Sequence, residues 1–431
     1  MRVVAELISE IEKPVVDRFK RESEVRFYSR HVPVVFEAAR GARLIGTDGR
    51  EYLDFFAAAG ALNYGHNHPE LKAAIAEAMA RDAVVTPLDL YTPERADFIA
   101  AVEQVILTPR QLDYRIQFPG PTGANAVEAA LKLARKASGR TGVVAFTNAF
   151  HGCSLGALAV TGNLEKRRAF LPSLNGVTRL PYDGYAGENT LETFAAMLED
   201  PSSGLEVPGA VILEVVQGEG GLRPASEAWL LALQAICGKH GVVLIADEIQ
   251  CGCGRTGQLL SFDSTSFRPD VICLSKSLSG LGLPLSMLLL RNDLDVWSPG
   301  EHSGTFRANN LAVATGARAL RFWLDPIFTA QVRRNTIALV DRLAAFEARW
   351  PGTKRVGTGL MSGLAISAPG AAERVAKGAF EAGVILETCG PRNEVLKFFP
   401  PINIDEDELE HGLNLIGRAI DATIKQSEFV G

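Results

Sequence analysis

The sequence contains no apolar run that approaches the length of a bilayer crossing, so a membrane-spanning helix is not expected. It has no block of like charge either. Its 44 basic and 50 acidic residues are interspersed and leave a net charge of −6, which speaks against nucleic acid or an anionic membrane surface as a partner. Cysteine is sparse, with six residues scattered at Cys153, Cys237, Cys251, Cys253, Cys273 and Cys389. Cys251-Gly252-Cys253 is too tightly spaced for a zinc knuckle and no histidine cluster accompanies it, so neither a metal site nor a disulfide is expected. Nucleotide-binding fingerprints are missing too: Ser279-Gly280-Leu281-Gly282-Leu283-Pro284 lacks the third glycine, and no stretch ends in Gly-Lys-Thr. Glu6, Glu10, Glu12 and Asp17 break what would be the apolar core of a secretory signal, and the expected location is the cytoplasm.

What is present reads as an α/β enzyme. The chain of 431 residues, with 47% hydrophobic and 22% charged residues, is long enough for a large domain and a smaller partner. Two apolar runs organise it. Val242-Val243-Leu244-Ile245-Ala246 closes on Asp247, and Val271-Ile272-Cys273-Leu274 leads through Ser275 to Lys276. Continuous apolar runs of this length fit strands of a parallel sheet buried on both faces, and such sheets bind ligands beyond the carboxyl ends of their strands. An acid and an amine delivered to one sheet edge suit pyridoxal phosphate. The acid keeps the pyridine nitrogen protonated, and the amine holds the aldehyde as a Schiff base.

Phe118-Pro119-Gly120-Pro121-Thr122-Gly123-Ala124 opens a helix expected to run to about Gly139, with Val127, Leu131 and Ala134 on one face. Its free amide groups make a phosphate site, or simply a capped helix start. The strand Val143-Val144-Ala145-Phe146 leads to Phe150, an aromatic that could stack on a planar ring, and to His151, either a general base or a structural histidine. Gly209 to Glu214 repeats the pattern of a strand ending in an acid, and Gln217-Gly218-Glu219-Gly220-Gly221 follows as a flexible turn.

Elsewhere Val4, Leu7, Ile8 and Ile11 suggest a helix over residues 1 to about 20. Short strands are expected at Val32-Pro33-Val34-Val35-Phe36, Arg43-Leu44-Ile45 and 51–55, with a turn at Thr47-Asp48-Gly49. Helices are expected from Pro69 to about Arg81, from Pro93 to about Leu107, over 310–324 and over 328–349, and late strands at 360–366 and 395–399. The reading divides the chain into an N-terminal segment and meander, 1–58, a large cofactor-binding domain, 59–324, and a small C-terminal α/β domain, 325–431.

Taken in order, Thr122-Gly123-Ala124, Phe150-His151-Gly152, Glu214-x-x-Gln217-Gly218-Glu219-Gly220-Gly221, Asp247-Glu248-Ile249-Gln250, Gly254-Arg255-Thr256-Gly257, Ser275-Lys276 and Gly304-Thr305-Phe306 resemble the class III pyridoxal-phosphate aminotransferases. The match runs from about Phe27 to Pro401. Within that class, Ala61-Leu62-Asn63-Tyr64-Gly65-His66, 117–123, 278–284 and Pro299-Gly300-Glu301-His302 are similar to the diaminobutyrate–2-oxoglutarate transaminases of ectoine, siderophore and peptide-antibiotic pathways.

The resemblance implies a fold-type I transferase: a mostly parallel seven-stranded sheet with helices on both faces, plus a smaller α/β domain. It also implies a homodimer or a dimer of dimers with the active site between subunits. Carried over by position, Lys276 is the Schiff-base lysine, Asp247 pairs with the ring nitrogen and Gln250 reaches the ring hydroxyl. Gly123 and Ala124 bind phosphate, Phe150 stacks on the ring with His151 beside it, and Thr305 completes the phosphate site from the neighbouring chain. Glu219 matches a glutamate that, in ornithine-type relatives, screens an arginine when the reacting end of the substrate lacks a carboxylate.

Two departures stand out. Lys397, before Phe398-Phe399-Pro400-Pro401, takes the place of an arginine, so a point charge replaces a bidentate fork. Thr86-Pro87-Leu88-Asp89-Leu90 also departs from the wording of the ectoine-pathway members. The expected reaction is transamination from L-glutamate to L-aspartate 4-semialdehyde. The alternatives are an ornithine- or acetylornithine-type enzyme, a pyridoxal-phosphate aminomutase, or a non-catalytic scaffold with the same fold.

Overall fold

The computed structural model describes residues 19–187 and 190–427, so the helix expected over residues 1 to about 20 lies almost wholly outside the described residues. Seven strands form the central sheet, in the order Tyr114–Gln117, Met287–Arg291, Val271–Leu274, Val243–Asp247, Ala210–Leu213, Val143–Phe146 and Val177–Leu180. Neighbours from Val271–Leu274 through Val177–Leu180 run parallel, whereas Met287–Arg291 is antiparallel to both of its neighbours. The sheet is therefore mixed but mostly parallel.

Period-two alternation explains why its central strands are apolar throughout. Val144, Phe146, Val211, Leu213, Leu244, Ala246, Ile272 and Leu274 face one core, with Phe98, Leu230, Leu233, Ala312 and Val313 from the helices Pro93–Val102, Glu227–His240 and Asn310–Arg321. Val143, Ala145, Ala210, Ile212, Val243, Ile245, Val271 and Cys273 face the other, covered by Val127, Leu131 and Ala134 of the helix Gly123–Ser138. Both faces of each strand are thus buried by helices.

Three strands of the central sheet were not anticipated. Tyr114–Gln117 and Val177–Leu180 lie at the sheet edges and are only partly buried, with Arg115 and Arg179 interrupting the apolar pattern. Met287–Arg291 is a leucine run, and leucine prefers helix when judged locally. The first expected strand also shifts. It begins at Phe36, because Pro33 cannot donate to a ladder and Val34 N–H instead turns back to Val32 O at 2.9 Å.

Phe36–Arg40, Arg43–Gly46 and Glu51–Asp54 make an antiparallel meander, to which Val384–Ile385 adds in parallel from near the far end of the chain. A second sheet runs Thr353–Thr358, Met361–Ile366, Val395–Phe398, Glu387–Cys389, all antiparallel. The helices Pro326–Arg349, Ala371–Glu381 and Glu406–Ser427 pack with it through a separate core that includes Leu339, Leu364, Leu396 and Ile416. Among the described residues no helix is long and apolar enough to cross a membrane.

Candidate active site

Asp247 ends one strand, and its register partner Cys273 lies three residues before Lys276 on the next. Past the sheet edge the chain turns sharply, with Lys276 itself at φ +49°, a left-handed conformation that costs a non-glycine residue about 1–3 kcal/mol. Ser275 anchors the turn by donating to Leu285 O at 2.7 Å. Desolvation of the Lys276 amine lowers its pKa, while the nearby Glu219, Glu387 and Asp247 carboxylates oppose that shift and Lys397 adds to it. The charge of all four groups thus bears on one amine.

Asp247 is buried and held from two sides: its Oδ2 lies 2.7 Å from His151 Nδ1, and its Oδ1 accepts Ile249 N–H at 3.0 Å. His151 therefore stands behind Asp247, where it orients the carboxylate, and its buried Nε2 has no partner among the described residues. The helix start meets this acid loop directly. A Cβ on Gly123 would come within 2.9 Å of Ile249 Cγ2, and one on Gly152 within 3.1 Å of Ala124 Cβ. Glycine at these two positions lets the helix start, the 150–152 loop and the 247–250 loop close on one another. Thr122 donates its N–H and its hydroxyl to Asn125 Oδ1, at 3.1 and 2.9 Å, which fixes the first turn.

Glu214, which the motif contained but whose task the sequence did not reveal, ties two loops together. Its carboxylate accepts Phe150 N–H at 2.9 Å and Gly218 N–H at 3.1 Å, and burial pushes its pKa up to about 7. Gln250 donates to Ala59 O at 3.1 Å and to Glu219 Oε1 at 3.3 Å, and its buried Oε1 is left without a partner among the described residues. A Cβ on Gly218 would lie 1.6 Å from that Oε1, so a side chain there would push the Gln250 amide out of its place.

The far side of the cluster is a triad. Lys397 is buried, with Nζ 2.8 Å from Glu219 Oε1 and 2.9 Å from Glu387 Oε2. Burial opposes charge on both Lys397 and Glu219, yet mutual attraction prevails and holds the amine above, and the Glu219 carboxyl below, their ordinary ranges. Tyr28 faces the same carboxylates. Neither Glu387 nor Tyr28 was singled out from the sequence, because only strand pairing brings Glu387 opposite Lys397. Thr305, by contrast, stands exposed on the 301–307 loop, where Arg307 pairs with Asp89 at 2.7 Å, and joins none of these contacts.

A desolvated lysine, a buried oriented carboxylate, a helix start that glycine lets pack directly against the acid's loop and an unsatisfied glutamine oxygen form a donor set that fits pyridoxal phosphate. The class of the protein follows from sequence comparison. The family "Aminotransferase class-III" matches residues 26–420, and the chain belongs to it.

The relatives narrow this further. The chain is 50% identical, over 94% of its length and 100% of the relative's, to a diaminobutyrate–2-oxoglutarate transaminase of Vibrio cholerae. It is 48% identical, over 95% of its length and 98% of the relative's, to the Vibrio parahaemolyticus enzyme of the same name. Among solved structures, the ornithine aminotransferase of Toxoplasma gondii ME49 superposes with a TM-score of 0.83 at 27% identity, over 99% of this chain and 98% of that one. The family acts on amino acids and oxo acids.

Proposed function

We propose that this class III aminotransferase uses pyridoxal 5′-phosphate to move the amino group of L-glutamate to L-aspartate 4-semialdehyde, releasing 2-oxoglutarate and L-2,4-diaminobutyrate. The observation that carries the chemistry is the placement of the Lys276 amine and the Asp247 carboxylate at the carboxyl ends of adjacent parallel strands within one buried cluster. The choice of substrates rests on relatives near 50% identity that span the whole chain.

When bound, the cofactor supplies an aldehyde and a ring that takes up the electrons of a breaking bond at the substrate's reacting carbon. Gly123 and Ala124 would hold its phosphate at the helix start, with Thr305 of the partner subunit completing that grip. Phe150 would cover one ring face, Gln250 would meet the ring hydroxyl through its free Oε1, and Asp247 would hold the proton on the ring nitrogen. Ile249 N–H, donating to Oδ1 at 3.0 Å, and His151 Nδ1, 2.7 Å from Oδ2, fix the orientation of the Asp247 carboxylate. Lys276 Nζ, whose proton affinity burial reduces, takes the proton from the α-carbon of glutamate in the first half-reaction and handles the proton of the acceptor's aldehyde-derived carbon in the second. Glu219 masks Lys397 while the reacting carbon carries no carboxylate, and yields it when glutamate enters.

A homodimer, or a dimer of such dimers, is part of this reading. The exposed Val84, Leu88, Leu90, Tyr91 and Phe306 provide an apolar surface for a second copy of the chain. The test is an assay of the purified protein with L-glutamate and a panel of semialdehydes. Stoichiometric 2-oxoglutarate and L-2,4-diaminobutyrate are expected. Preferential turnover of the ornithine-derived semialdehyde would move the assignment to the ornithine type, and absence of free 2-oxoglutarate would point to a mutase.

A further inference from the structure

Two acids hold Lys397, and the fold supports them unequally. Glu387 is the direct register partner of Lys397 in the antiparallel pair Glu387–Cys389 and Val395–Phe398, so both side chains leave the same face of one sheet. Its side chain keeps 9% of its surface in solvent, against 34% for Glu219. Glu219 instead rides on the turn Gln217-Gly218-Glu219-Gly220-Gly221, with Gly221 at φ +108°. The Glu219 backbone is itself held, its carbonyl accepting Gly390 N–H at 3.0 Å, so the difference lies in the side chains: Glu387 is enclosed beside its ladder partner, and Glu219 is the acid whose carboxylate can turn toward solvent.

We propose that Glu387 is a specificity-determining residue: the fixed acid keeps the reacting pocket net negative beside Lys276, so that the pocket favours a reacting carbon that carries an amine and no carboxylate. This deepens the function proposed above and rests on it. With Glu219 engaged, one ammonium faces two carboxylates and the triad carries a net single negative charge. An incoming ammonium is drawn in, whereas a carboxylate gains a place only by displacing Glu219, the acid free to leave. After that displacement Lys397 is still shared with Glu387, so its grip on the carboxylate remains partial. A lysine suits such sharing, because its three rotatable donors can serve two acids at once.

The test compares Glu387→Gln and Glu387→Asp with the native protein. In single-turnover half-reactions of the holoenzyme, Glu387→Gln is expected to lower kcat/KM for L-2,4-diaminobutyrate about tenfold, the effect of removing one nearby unit charge. The value for L-glutamate should stay the same or rise, and Glu387→Asp, which restores the charge, should recover the native ratio. A second readout needs no turnover. In the cofactor-free protein 1,3-diaminopropane should raise the unfolding midpoint more than glutarate does, and Glu387→Gln should reverse that order. Parallel loss of both half-reactions, or an unchanged ligand order, would overturn the role of Glu387. If the native protein acts on neither glutamate nor diaminobutyrate the proposed function fails, while the ligand order still decides the charge argument.

Discussion

At the Asp247 end of the site a carboxylate closes a strand buried on both faces and is clamped by His151 and Ile249 at 2.7 and 3.0 Å. At the Lys397 end an ammonium is shared between an acid on a paired strand and an acid on a glycine-rich turn, at 2.9 and 2.8 Å. The first arrangement has one state and suits a group whose charge stays constant through a reaction. On the function proposed above the second has two, with Glu219 leaving while Glu387 keeps the ammonium paired. A ping-pong enzyme needs both: constant chemistry at the ring and an adjustable welcome for two unlike substrates.

The comparison breaks most severely at the amine between the two ends. Lys276→Ala should reduce turnover by about a hundredfold to ten-thousandfold, the usual worth of general acid–base help, with the unfolding midpoint close to native. Steady-state kinetics and calorimetry on the same preparation check this, and near-normal turnover would remove Lys276 from the mechanism.

Lys397→Met tests the adjustable end through stability. Removing one member of a buried charged cluster costs about 3–5 kcal/mol, toward the lower figure here because Glu219 remains partly exposed. The pH dependence follows from the shifts. Glu219 is held below its usual value of 4.5, so its contribution is complete above that pH and is lost as pH falls toward about 2. Lys397 is held above its usual 10.5, so its contribution is complete below that pH and is lost only as pH rises through the folded value. Measured by urea titration, the native contribution should therefore be level from about pH 5 to 10 and fall in acid, whereas Lys397→Met, which leaves two neighbouring carboxylates without their cation, should regain stability as acid protonates them. A destabilisation that does not shrink as pH falls would contradict the triad.

His151→Phe probes the constant end most gently, keeping an aromatic ring and deleting the nitrogen that faces Asp247. A hydrogen bond to a charged group contributes about 1.5–3 kcal/mol, so kcat should fall about tenfold to a hundredfold. Loss of cofactor binding with kcat unchanged in the loaded fraction would argue that His151 acts elsewhere.

The same contrast explains what the sequence disclosed. The four central parallel strands were legible because burial on both faces writes an uninterrupted apolar run, and Asp247 and Lys276 were legible because each follows such a run. Tyr114–Gln117 and Val177–Leu180 were not, since edge strands tolerate Arg115 and Arg179. Gly123 and Gly218 were readable as glycines, but their reasons, contact with Ile249 and with Gln250, exist only in three dimensions. Glu387 left no local trace, because its importance lies in a pairing register with a residue ten positions along the chain.

The central claim is that the Lys276 amine and the Asp247 carboxylate serve one bound ring, and borohydride reduction of the holoenzyme followed by peptide mass mapping tests it most directly. The account predicts a single pyridoxyl adduct on the peptide that contains Lys276, at full stoichiometry. An adduct on Lys397 or any other lysine, with Lys276 unmodified, would contradict it.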